Sequence, residues 1–232
     1  MERRGFVKAC AATAAAIASP AWPDSTAAPR FHRRAQLVDD SGAPLRAGAL
    51  APQRNYVFNY PYAGTPCFLL NLGRPLTRPV ELRTANARSY RWPGGVGPNR
   101  SIVAYSAICA HKLTYPTREI SFISYRAEAT PASKRAQVIH CCSEHSQYDP
   151  ADGARVVGGP APQPLAAILL EYNQATDGLI AIGTLGGEMF DEFFARFAFR
   201  LQLETSGHAH DAAGDRVVVT ELARYCRQQV LC

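Results

Sequence analysis

Short β-type runs, each closed by turn residues, fill most of the chain between about residues 36 and 182, and they limit its fold more than any other feature. AQLVDD runs into Ser-Gly-Ala, NYVFNYPY alternates aromatic with polar residues, and TPCFLLNLG is a brief apolar run closed by Gly73. SIVAYSAICAH, EISFISYRA, RAQVIHCC, ARVVGG and LAAILLEYN continue the pattern, with RWPGGVGPNR, DPADGA and GGPAPQP as turns. Strands about eight to twelve residues apart point to an antiparallel sandwich or barrel. The expected class is therefore mainly β.

Helix is expected late. Glu188 to Arg200 places Phe190, Phe193, Phe194 and Phe197 at i, i+3, i+4 and i+7, one apolar face of a helix. That face is expected to close the core, with docking to a partner or a membrane as the competing use. After the polar loop TSGHAHDAAGD, the tail VVVTELARYCRQQVLC reads as a strand passing into a short helix. His208, His210 and Asp211 could serve as metal ligands, but their Gly- and Ala-flanked setting reads as a solvated loop. Trp92 to Pro98 lacks the strand-helix context of a phosphate site and reads as a turn.

The opening MERRGFVKACAATAAAIASPAWP has paired arginines, a short small-residue apolar run and a Ser-Pro-Ala segment. Arg3 and Arg4, with Phe6 and Lys8, resemble a twin-arginine export signal over residues 1–21. The apolar run is well short of the roughly 20 residues a spanning helix needs, so a cleaved signal is expected in place of an anchor. Export implies a periplasmic protein, soluble or peripheral to the inner membrane. Residues 22–35 read as a linker, whose Arg30, His32, Arg33 and Arg34 could meet anionic headgroups but are better read as a solvated tether. The domain scheme is completed by a β domain over 36–182 and a C-terminal extension over 183–232.

A formal charge of +6, spread along the chain with no basic stripe, argues against nucleic acid. In an oxidising compartment cysteines are read as disulfides or ligands. Beyond Cys10 in the signal stand Cys67, Cys109, Cys141, Cys142, Cys226 and Cys232, too few to organise a pure disulfide scaffold of this length. A Cys226–Cys232 pair is one connectivity that the sequence allows.

Two segments carry chemistry. SAICAHKL holds Cys109-x-His111, and QVIHCCSEHSQYD holds Cys142-x-x-His145. Two thiols and two imidazoles at these spacings do not suit the usual zinc fingers, but they match a 2Fe-2S cluster with two thiolates on one iron and two imidazoles on the other. Residues from roughly 100 to 172 resemble a Rieske iron-sulfur domain. The first loop is similar to the Cys-x-His-Lys loop of arsenite-oxidase small subunits. The second, running through Ser146, Tyr148 and Gly153 to Gly159-Pro160-Ala161-Pro162, is similar to the second loop and proline loop of quinol-oxidising cytochrome bc complexes. The resemblance implies a Rieske-type β sandwich or barrel with a cluster-binding insertion and a short C-terminal helical extension. It implies Cys109 and Cys142 on the inner iron, His111 and His145 on the outer iron, Ser146 bonding a bridging sulfide, Tyr148 bonding a ligand thiolate, and Gly159-Pro160 shielding the cluster. Replacing anionic thiolates by neutral imidazoles eases reduction, with potentials of roughly −150 to +300 mV against about −400 mV for all-cysteine plant-type clusters.

Three departures stand out. The quinol-oxidase family joins its loops by a disulfide, but Thr114 stands at the first such position and Ser143 or Glu144 at the second. Counting back from Ser146 and Tyr148 without a gap makes Cys141 the ligand and puts Glu144 where a histidine is required. The Cys142/His145 register, with one residue fewer before Ser146, keeps that imidazole and is preferred here. Third, the spacing from His111 to Cys142 is longer than in the shortest family loops, and YRAEATPASKR reads as a polar hairpin insertion.

The function expected is an exported one-electron carrier. It would be a subunit or partner of a respiratory oxidoreductase, taking electrons from a quinol-oxidising or molybdenum-type subunit and passing them to a c-type cytochrome or copper protein. Catalysis would belong to the complex. The alternatives are a module of the same fold with zinc or no metal in a structural or interaction role, and a Rieske oxygenase. The last needs a long catalytic domain, and only about sixty residues follow Tyr172.

Overall fold

A computed structural model describes residues 26–131 and 133–232. The export signal expected over residues 1–21 lies outside the described residues. In chain order the strands are β1 (Arg30–Val38), β2 (Tyr56–Asn59), β3 (Pro66–Asn71), β4 (Val80–Arg83), β5 (Ser89–Trp92), β6 (Ile102–Ser106), β7 (Ile120–Ser121) and β8 (Ile123–Arg126). They continue with β9 (Val138–Cys141), β10 (Ser146–Asp149), β11 (Arg155–Gly158), β12 (Ala167–Asn173) and β13 (Gly178–Leu185). Helix α1 (Phe190–Glu204) follows, then β14 (Arg216–Val218), β15 (Thr220–Glu221), α2 (Leu222–Tyr225) and β16 (Gln228–Gln229).

Eight strands form one sheet in the order β14-β1-β13-β12-β6-β3-β2-β15. Its outer strands, β14 and β15, are separated in the chain only by Val219, so the sheet must curl until its edges nearly meet. A small four-stranded sheet, β11-β10-β9-β8, is inserted between β6 and β12. The mainly β class, the insertion and the late helix agree with the sequence reading. Strand β1 begins inside the stretch expected to be a linker: Arg30, Phe31, Ala35 and Gln36 pair with β13, which makes residues 30–35 part of the sheet. The polar insertion is indeed a hairpin connection, between the antiparallel strands β8 and β9.

Alternation explains why the apolar runs in β3 and β6 are buried on both faces. Phe68 and Leu70 of β3, with Val103 and Tyr105 of β6, face the small sheet. Cys67 and Leu69, with Ile102 and Ala104, face the interior of the curled sheet. Successive side chains point to opposite sides of a strand, so a strand covered twice reads as a continuous apolar run. Among the residues facing the small sheet are Cys109, Ile123, Ile139, Cys141 and Tyr148, all buried. The two candidate loops therefore grow from the core between the sheets.

Helix α1 closes a third cluster, in which Phe190, Phe193, Phe194 and Leu201 pack with Ile108, Leu113 and Tyr115. This is the face expected to close the core, while Phe199 is on the exposed side at 77%. Asp191 and Glu192 in its first turn face the positive end of the helix dipole. Among the described residues, no helix is long and apolar enough to cross a membrane.

Candidate metal centre

The first loop leaves β6 at Ser106 and returns on itself within a few residues. Cys109 N–H donates to Thr114 O at 2.8 Å, and Leu113 N–H donates to Cys109 O at 2.9 Å. Leu113 takes a left-handed φ of 59°, and its fully buried side chain anchors the loop in the α1 cluster. The second loop is the tip of the β9–β10 hairpin. Cys141 pairs with Ser146 across it and with Ile123 on β8, and Cys142 N–H donates to Phe122 O at 2.6 Å. His145 turns the chain with φ 57°.

The two loops meet at Cys109 and Cys141, both fully buried. Each sulfur is surrounded by donors. The backbone amides of His111 and Lys112 favour negative charge on Cys109, and those of Ser143 and Glu144 do the same for Cys141. The Tyr148 hydroxyl lies 3.2 Å from Cys109 Sγ and accepts the N–H of Ala110 at 3.1 Å. Burial and the Cys109 thiol hold the Tyr148 phenol far above its usual range, so it stays protonated and can donate to sulfur. Hydrogen bonding from Cys141 brings the Cys109 thiol down to about 6, with burial opposing and Tyr148 and the loop amides assisting. Cys141 moves up instead, because it gives the hydrogen bond to Cys109 and is itself buried.

Paired residues of an antiparallel hairpin share a face, as do residues two apart on one strand. Ser146 and Tyr148 therefore lie on the Cys141 side of the small sheet. Among the described residues, Ser146 Oγ is buried there with no hydrogen-bond partner, and His111 Nδ1 is likewise buried and unpartnered. Tyr60, Tyr90 and Arg126 also carry unpartnered buried atoms, but Ser146, opposite Cys141, and His111, two residues after Cys109, belong to the two cysteine loops. The donor types present would suit a 2Fe-2S cluster: thiols for one iron, an imidazole for the other, and hydroxyls able to donate to sulfur.

Gly159 packs behind the second loop. A Cβ there would sit 2.4 Å from His145 O and 2.5 Å from Ser146 Cα, and φ is +79°, so the close approach requires glycine. Pro160 follows it on the surface.

Cys142 was expected as the second thiolate, and the structure places it otherwise. It is disulfide-bonded to Cys232, with a Cα–Cα separation of 5.7 Å, and a disulfide sulfur carries no thiolate charge for iron. Cys141 occupies the facing position. The Cys226–Cys232 pair considered from the sequence is not formed, for Cys226 is a free thiol beside Leu222 O. His145 is exposed, and its ring centroid lies 5.7 Å from that of His140. Being next to Cys141 on β9, His140 points to the opposite face of the small sheet, where Cys232 Sγ is 3.6 Å from its Nδ1. His140, His145 and Cys232 thus form a second group whose donor atoms lie within 4.8 Å of one another. Its sulfur belongs to the disulfide. Burial, then the nearby His145 and Arg126, lower the His140 pKa.

The signal that could have found Cys141 was the ungapped count back from Ser146 and Tyr148. Nothing local marked Cys232, ninety residues from its partner. In the late polar loop His208 bonds Asp211 at 2.7 Å, while His210 stacks on Phe194 at 3.9 Å, so the histidines do not converge.

No family model matches the chain. Among solved structures, it is similar to the soluble domain of the Rieske protein II (soxF) from Sulfolobus acidocaldarius. Identity is 27%, the match covers 68% of this chain and 82% of that chain, and the TM-score is 0.46.

Proposed function

We propose that this chain is a one-electron carrier holding a 2Fe-2S cluster between its two loops, with Cys109 and Cys141 on the inner iron and His111 on the outer. The observation that carries this reading is that Cys109 and Cys141 are buried in one cluster where the two loops meet, and that each loop also holds a buried polar atom, His111 Nδ1 and Ser146 Oγ, with no partner among the described residues. When bound, such a cluster supplies reversible one-electron chemistry at a potential raised by non-thiolate ligation. The protein's part is positioning and electrostatics. Amide donors and the Tyr148 hydroxyl stabilise negative charge on sulfur, which favours the reduced state. Leu113, Tyr148 and the core between the sheets exclude water from the sulfurs.

Export by the twin-arginine route belongs to the same proposal, supported by the Arg3-Arg4 pattern; that route carries folded proteins, so a cluster can be inserted first. The partners would be a quinol-oxidising or molybdenum-type donor subunit and a c-type cytochrome acceptor, with peripheral membrane association. Nucleic acid is no part of this reading.

Iron, zinc and acid-labile sulfide analysis of the purified chain, with visible absorption and electron paramagnetic resonance of the reduced protein, tests the reading. Two irons and two sulfides per chain are expected. Zinc without sulfide, or neither metal, would replace electron transfer by the structural or interaction role.

A further inference from the structure

We propose that the face of the small sheet opposite Cys141 carries a second metal site, gated by the Cys142–Cys232 disulfide: once that bond is reduced, Cys142, Cys232, His140 and His145 together hold a zinc ion. The proposal goes beyond the electron-carrier reading and does not depend on it.

Strand alternation assembles the site. On β8 and β9 Arg126 pairs with Val138 and Ser124 with His140, so Arg126 and His140 share a face, and Cys142 follows two residues after His140. The tail crosses this face and brings Cys232 Sγ to 3.6 Å from His140 Nδ1. The exposed His145 completes a group whose donor atoms lie within 4.8 Å of one another. With Zn–S near 2.3 Å and Zn–N at about 2.0–2.1 Å, a tetrahedral ion separates a ligand sulfur from a ligand nitrogen by about 3.5–3.6 Å. His140 and Cys232 already stand at that spacing. Cys142 Sγ is bonded to Cys232 Sγ and becomes the fourth donor when the bond opens. Two thiolates and two imidazoles in a tetrahedron suit zinc.

A second observation points the same way. Arg126 is 9% exposed, and its Nε is buried with no partner. Its Nη2 bonds Val230 O and lies 3.6 Å from Cys142 Sγ, which also receives the N–H of Cys232 at 3.2 Å. Among the described residues no carboxylate pairs with this guanidinium. A buried cation aimed at a neutral disulfide lacks a counter-charge, whereas the anionic sulfurs of a zinc-bound pair supply one. The gate itself is thiol exchange. A dithiol reductant gives two electrons and two protons to the Cys142–Cys232 bond and leaves as its own disulfide; zinc then displaces the two thiol protons as the Zn–S bonds form. Exchange with an oxidised dithiol reverses both steps and releases the ion.

The test titrates the full chain with cobalt(II), a spectroscopic stand-in for zinc, before and after reduction by a dithiol that is then removed under argon. Reduction is expected to add about one ion per chain with the visible bands of tetrahedral thiolate-bound cobalt; zinc should displace it and reoxidation should release it. Counting only the increment between the oxidised and reduced chain cancels any metal held at Cys109 and Cys141. Reduced Cys232→Ser and His145→Ala, both altered at positions outside the buried core and checked for folding by circular dichroism, should fall back to the spectrum of the oxidised wild-type chain. No increment on reduction, or an increment undiminished in either variant, would overturn the site. Neither result bears on the iron and sulfide content by which the carrier reading is judged.

Discussion

Aromatic packing holds the first loop from outside. Ile108, Leu113 and Tyr115 lie against Phe190, Phe193 and Phe194, the Tyr115 ring meets Phe193 edge-on at 4.9 Å, and its hydroxyl reaches Glu204 at 3.2 Å. The second loop is held by a covalent bond. Cys142 is joined to Cys232, the tail before it runs as β16 parallel to β7, and Arg126 clasps Val230 O at 2.5 Å. Thr114 and Ser143 cannot make the loop-to-loop disulfide of the quinol-oxidising family. Here each loop is tied separately to the chain beyond residue 188. The C-terminal extension is thus the scaffold of the site. Its two halves work by different physics: packing stabilises the folded chain through burial, whereas a cross-link acts mainly by restricting the unfolded one.

The sharpest way to break this contrast lies in the adjacent cysteines. On the proposed assignment Cys141→Ser should remove iron and sulfide entirely, because it would delete a ligand, whereas Cys142→Ser should remove a brace and keep both. Metal and sulfide analysis of the two variants settles it, and the reverse pattern would show that the tail disulfide and the ligand have been interchanged. Next in size is Phe193→Ala, which empties a fully buried ring site between α1 and the first loop. Truncation of a buried Phe costs about 3–5 kcal/mol. Denaturant unfolding should show that loss, and hydrogen exchange should show faster opening at Cys109 and Leu113 than at Cys142. A loss below about 1 kcal/mol would mean that α1 only covers the loop.

Those two outcomes depend on features that the sequence revealed unequally. The β class was legible because β3 and β6 alternate between two buried faces, leaving an apolar run that turn residues cut short. The apolar face of α1 was legible from its spacing, but its target was not: contact between Phe193 and Leu113 is a tertiary event with no local signal. Cys109 and His111 lie on one short loop and could be proposed together. The choice between Cys141 and Cys142 could not be made by residue type. It depends on which side of β9 faces the core, and a shift of one residue reverses that. Preference for an imidazole favoured His145, yet strand alternation and the His140 ring draw it to the other face. The first strand was missed for a related reason: its exposed Arg30, Arg33 and Arg34 find partners in Glu188, Asp215 and Glu171, so a paired strand looked like a solvated tether.

The disulfide gives an intermediate effect. Cys232→Ser and Cys142→Ser should each lower stability by about 2–4 kcal/mol, the usual worth of a cross-link closing a long loop. Combining them should add little, since both remove the same bond. A double variant whose loss equals the sum would show that each sulfur also stabilises something else, with the His140–His145 contact the first place to look.

The smallest effect expected comes from the group that joins the two loops directly. Tyr148 sits on the second hairpin, but its hydroxyl serves Cys109 and Ala110 of the first. In Tyr148→Phe the ring still fills its buried site, so packing is kept and only the polar link is lost. A hydrogen bond to a charged acceptor contributes about 1.5 kcal/mol or more, on the order of 60 mV for a one-electron couple. The sign follows from charge: the hydroxyl stabilises negative sulfur more in the reduced state, so its loss should lower the potential. Potentiometry on Tyr148→Phe beside Phe193→Ala separates the two kinds of support. A fall in potential confined to Tyr148→Phe would show that the hydroxyl tunes the sulfur while α1 merely holds the loop. An unchanged potential would mean that the tyrosine proton is not given to Cys109.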